Sequence, residues 1–79
     1  MSRGAPLQEV VAIGDPALIA GFALAGVRMC PAADAAGVRA VWGATSVRAA
    51  VVILTADAAD ALGAARTAPS APLTVVMPP

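Results

Sequence analysis

Residues 13–27 read IGDPALIAGFALAGV, and the fold depends on whether the glycine-bearing turn near its start is a phosphate cradle or a strand-to-helix joint. Just upstream, Glu9-Val10-Val11-Ala12-Ile13 is a short, continuous, β-branched run, which suits a strand buried on both faces of a parallel sheet. Gly14 ends it. Asp15 is placed to cap the next helix, and Pro16 fits the first helical position, where its missing N–H costs nothing. The spacing predicts a helix over 16–25, with Leu18, Ile19, Phe22 and Ala25 on one apolar face. Gly21 in its interior costs about 1 kcal/mol relative to Ala, which points to a close approach of this helix to a strand. Gly26 then supplies a left-handed stop.

The same alternation continues to the end of the sequence. Val27-Arg28-Met29-Cys30 reads as a second strand, broken by Pro31. Within 32–45, Val38, Val41 and Trp42 recur at helical spacing, which makes core packing the reading for the lone Trp. Residues 49–54, AAVVIL, form the most apolar run and should lie centrally in a sheet. Thr55 is a good N-cap for a helix over 56–66, with Asp57 in its first turn and Arg66 in its last, both favourable to the helix dipole. Leu73 to Met77 reads as a fourth strand before Pro78 and Pro79. The order β-α-β-α-β-α-β with short loops predicts an α/β fold: a small four-stranded parallel sheet with right-handed crossovers and helices on both faces, Rossmann-like or receiver-like. One domain over 1–79 is expected, with a flexible start at 1–7.

The hydrophobic share is 59%, but 22 of the 47 residues counted are Ala, so the larger apolar residues amount to an ordinary core. Five Arg face five acids, with no Lys and no His, which leaves no basic stripe for nucleic acid and no polybasic patch for a membrane surface. Only 13% of residues are charged. That is little for a free monomer and suggests a surface partly covered in its working state. Cys30 stands alone, so no intrachain disulfide is expected and a reducing compartment is; a structural, buried thiol is the reading for it. Direct membrane insertion is not expected, because the clean apolar run Pro16–Val27 is shorter than the roughly 18 residues a spanning helix needs. Glu9 and Asp15 argue against a signal peptide.

Little in the sequence supports chemistry. From Gly14 the residues run GDPALIAG, with an acid and a proline where a dinucleotide fingerprint needs glycines and free N–H groups. A P-loop needs a Lys that the chain lacks. A phospho-acceptor domain needs an Asp at the end of the third strand, where Leu54-Thr55 stands. One Cys, no His and scattered acids make no recognisable metal set, and Ser46 and Ser70 have no His to activate them. No catalytic, cofactor-binding or metal residues are therefore expected.

Three blocks, IGDPALIAGFALAGV, VVILTADAADAL and PLTVVMPP, appear in an order and at separations that resemble the F subunit of V-type and A-type rotary ATPases and ATP synthases. The residues that carry the resemblance are Gly14, Asp15, Gly21, Phe22, Gly26 and Thr55, together with Leu24, Ala25 and Val27. The resemblance implies a non-catalytic rotor component of the central stalk, cytoplasmic and peripheral to the membrane. It would bind the coiled-coil D subunit and other stalk subunits. ATP would be hydrolysed or made on the A and B subunits, coupled to proton or sodium transport, and the motif residues here would be mainly structural. Ala20 replaces a frequent Thr of the family. Members of that family continue past the last strand into a helix along the D subunit, so a short variant ending at Pro79 would grip the shaft with its globular part. The alternative expectation is a degenerate receiver-like regulatory or small-ligand-binding domain using the strand ends around Gly14, Asp15, Cys30 and Thr55.

Overall fold

The computed structural model of the chain describes residues 9–21 and 26–78. The expected flexible start, and Phe22 to Ala25 of the expected first helix, lie outside the described residues. In chain order the elements are β1 (Glu9–Gly14), α1 (Pro16–Ile19), β2 (Arg28–Pro31), α2 (Ala35–Thr45), β3 (Ala49–Leu54), α3 (Ala56–Leu62), a 3-10 turn (Gly63–Thr67) and β4 (Leu73–Val76). The strands form one sheet in the order β2-β1-β3-β4, every pair parallel. The expected α/β architecture is the one adopted, with β3 in the interior.

The order dictates where the helices go. A right-handed crossover from β1 outward to β2 puts α1 on one face; crossovers in the opposite direction, to β3 and then β4, put α2 and α3 together on the other. Side chains alternate between the faces. Val11 and Ile13 of β1 and Val52 and Leu54 of β3 point toward α2 and α3 and form the main core with Val38, Ala58, Ala59 and Leu62. Burying a side chain of this size stabilises the fold by about 1.5–3 kcal/mol. Cys30, Val41 and Trp42 are half-buried and pack against this cluster, so the Trp has the core role read from its spacing, whereas the thiol expected to be buried is only partly covered. On the opposite face Ala12 and Ile19 are fully buried, and α1 lies against β1 and β2.

Several local expectations need correction. As described, α-helix covers only Pro16–Ile19, followed by 3-10 geometry at Ala20 and Gly21. Within the described turn Ile19 is buried while Leu18, one residue and about 100° earlier, is 58% exposed. Gly21 is exposed, and a methyl group placed on it would meet nothing within 4 Å, so the close approach expected there does not occur. Gly26 does have the left-handed φ, +78°. The second strand starts at Arg28 and includes Pro31; β2 is an edge strand, where the missing proline N–H is tolerated. The third α-helix stops at Leu62 because Gly63 takes φ +54°, and the remaining turn to Thr67 is 3-10.

One irregularity sits at the entry to the central pair. Glu9 pairs with Ala49 but Val10 pairs with Val51, leaving Ala50 as an extra residue, the signature of a bulge. From Val10 to Ile13 the register with β3 is regular.

Candidate functional site at the carboxyl edge of the sheet

In an open parallel sheet, ligands collect outside the carboxyl ends of the strands, and the motif residues Gly14, Asp15 and Thr55 meet there. The Thr55 N–H donates to the Ile13 carbonyl at 3.2 Å, which carries the β1–β3 ladder past the end of β3. Thr55 is 3% exposed. A Cβ on Gly14 would overlap the Thr55 side chain, and Gly14 has φ +152°; both facts make glycine the fitting residue here. The Gly14 carbonyl accepts from the Ala32 N–H at 2.9 Å. Gly14 therefore joins the ends of three strands.

Both expected caps form. Asp15 Oδ1 accepts from the Ala17 N–H at 2.8 Å, and Pro16 occupies the start of α1. Thr55 Oγ1 accepts from the Ala58 N–H at 3.2 Å at the start of α3. A third cap, not singled out in the sequence, is Asp34, whose Oδ1 accepts from the Gly37 N–H at 2.7 Å at the start of α2. The signal for it was an Asp just ahead of an Ala-rich helical run. Each cap occupies an amide that would otherwise point at a ligand.

A hollow of about 420 Å³ lies over this edge, and Asp15, Asp34, Asp57 and Asp60 all line it. These are the four aspartates of the chain. They do not form a group able to hold a metal ion, and no such group occurs among the described residues. A phosphate or nucleotide would meet four aspartates in this lining, and one amide at each helix N-terminus is already taken by its cap. Cys30 pairs with Ile13 one residue inside the edge, so its thiol is not part of this lining.

The positive charge lies at the other end. Arg28 opens β2, Arg48 directly precedes β3, and Arg66 stands in the turn that follows α3. Arg28 Nη1 lies 3.2 Å from Glu9 Oε1 across the β1–β2 edge, an exposed pair. The zero net charge of the chain thus conceals a sorting: among the described residues all four aspartates lie at the carboxyl ends of the strands, and three of the four arginines, with Glu9, at the amino ends. Because every helix runs antiparallel to the strands, this is also the distribution that complements the helix dipoles.

Among the described residues, no helix is long and apolar enough to cross a membrane. Of the residues that carry the family resemblance, Gly14, Asp15 and Thr55 are gathered at one edge, Gly21 and Gly26 lie apart from it, and Phe22 is outside the described residues. No family model matches the chain, and no curated protein matches it.

Proposed function

We propose that this chain is a non-catalytic central-stalk component of a rotary ATPase or ATP synthase of the V/A type, the counterpart of the F subunit of those motors, held against a coiled-coil shaft protein in the cytoplasm and turning with it. The observation that carries the reading is the junction of Gly14 with Thr55. Two residues from separate family-like blocks are interlocked, and both are occupied with strand joining and helix capping. The acid-lined edge supports a structural role over nucleotide binding, and the sparse charge supports a surface covered by partners.

The test is co-purification of the tagged chain from its own cells, with identification of bound proteins. Recovery of the ATPase A, B and D subunits is the expected result. Recovery of the folded chain alone would sink it.

The alternative, a degenerate receiver-like regulatory or ligand-binding domain, draws on the hollow of about 420 Å³. It requires saturable binding there that is lost on changing Asp15 or Thr55. Four lining carboxylates direct that search to cationic or hydroxyl-rich molecules, not to anions.

A further inference from the structure

Among the described residues, β2 and β4 border the sheet, and their free edges differ. Successive residues of a strand turn their N–H and C=O to opposite neighbours. The Met77 N–H donates to the Leu54 carbonyl at 2.8 Å, so Leu73, Val75 and Met77 face β3, and Thr74 and Val76 present their N–H and C=O outward. Along β2 the Ala32 N–H donates to the Gly14 carbonyl, so Arg28 and Cys30 face β1. Of the outward residues Met29 and Pro31, only Met29 has an N–H. Pro31 and the charged Arg28 close that edge to a further strand. The β4 edge has no such charge, since none occurs anywhere in residues 67–79.

Proline limits the β4 edge instead, and does so symmetrically. Carried past both ends of the strand, the alternation puts Pro72 and Pro78 in the outward row. That row reads Pro72, Thr74, Val76, Pro78, with donors only at its centre, and it is symmetric about Val75. A two-fold axis requires such symmetry, because each residue must meet on the other copy what the other copy meets on it. Laid antiparallel about Val75, a second β4 sets its Val76 opposite Thr74 and its Thr74 opposite Val76. Every outward N–H of both strands then finds a carbonyl, and Pro72 meets Pro78 of the second copy beyond the ladder. A register shifted by one pair would press a proline ring against a carbonyl of the other strand. A longer foreign strand would meet such a ring at both ends.

The side chains suit the same register. Val75 meets itself, Leu73 meets Met77 of the second copy, and Thr74 meets Val76. These are apolar and β-branched cross-strand pairs, and they cover Leu73, Val75 and Val76, which the single chain leaves exposed. No like charges oppose one another across the axis. With the β2 edge closed by Pro31 and Arg28, growth stops at two copies.

We infer that the free edge of β4 is the self-association site of this chain, two copies pairing antiparallel about Val75 to make one continuous sheet. This goes beyond the stalk reading and does not rest on it. So short a ladder buries less than a standard interface, so the association is a concentration-dependent equilibrium.

The experiment is sedimentation equilibrium of the full chain over a dilution series, with amide exchange at its two ends. Dimers are expected at the concentrated end. The Thr74 and Val76 amides should be protected there and free on dilution, whereas those of Val75 and Met77 stay protected throughout. Because Val75 meets itself, Val75→Lys and Val75→Glu should each raise the dissociation constant about tenfold or more, and an equimolar mixture should recover association. Val75 is 49% exposed, so melting temperature in dilute solution should change little; if either variant misfolds, the exchange pattern of the wild type decides alone. A wild type that stays monomeric, with Thr74 and Val76 exchanging freely, overturns the inference. So do dimers that both charged variants leave intact, or a mixture that fails to recover. Protection of Thr74 and Val76 that ignores concentration assigns the edge to a segment of the same chain and overturns the second copy as occupant.

Discussion

At Gly14 a missing side chain is what lets two segments close. Its positive φ and the adjacent Thr55 side chain mean that Gly14→Ala adds backbone strain and overpacking at one point, each costing about 1–3 kcal/mol. We expect the variant to lose roughly 2–4 kcal/mol in urea unfolding, a large part of the stability of so small a domain. Pairing it with Thr55→Ser, which removes the methyl nearest the new Cβ, should recover part of that loss; strict additivity in the double variant would show that the two residues do not press on each other. Gly21 makes the opposite case. Nothing stands within 4 Å of a Cβ there, and Gly21→Ala should leave stability unchanged or raise it by up to about 1 kcal/mol, read as melting temperature. The two glycines carry the same weight in the sequence pattern. Only the tertiary neighbour, forty residues away for Gly14, separates a required glycine from a dispensable one, which is why sequence reasoning assigned Gly21 a packing role it does not have.

At the level of elements, the strands were the most legible because interior strands of a parallel sheet write themselves as unbroken apolar runs, even where one face, as at Val10, Val51 and Ile53, is less covered than the other. VVAI and VVIL are where such runs were expected. Helix starts were nearly as clear, since Asp15 with Pro16, and Thr55, are local signals that need no tertiary partner. Helix ends were not. Gly63 takes a positive φ and turns the chain into a 3-10 segment, but the apolar Ala-rich pattern continues through it to Arg66. The candidate site was legible in its capping residues and illegible in its acidity, because Asp15, Asp34, Asp57 and Asp60 are brought to one hollow by topology alone. Among the caps, Asp34 serves the longest helix, so Asp34→Ala should cost about 1 kcal/mol. Amide exchange should localise the loss to the first turn of α2; loss spread evenly over the molecule would argue against a capping role.

For the whole molecule, the aspartates gathered at the carboxyl ends of the strands decide which ligands the edge can take. The exposed Arg28–Glu9 pair contributes little to holding the fold, about 0–1 kcal/mol. Millimolar ATP or inorganic phosphate should leave the melting temperature unmoved, because an anion meets four aspartates at the strand ends; a saturable upward shift would contradict the acidic reading of that edge. A shaft partner, by contrast, should raise it in a concentration-dependent way, by about 2.7 kcal/mol when free partner reaches a hundredfold over its dissociation constant.

The central ladder also sets a tempo. Val10 of β1 lies beside Val51 of β3, so the middle of the sheet cannot form until a stretch of some forty residues has looped back on itself, and that closure must be met before the inner contacts repay it. Substitutions such as Val52→Ala should therefore slow refolding, whereas those in the outer strand, such as Val76→Ala, should mainly hasten unfolding. Stopped-flow measurements on the pair separate the two. The β1–β2 and β3–β4 pairings span shorter stretches of chain, so it is the centre of the sheet, not its border, whose closure times the whole fold.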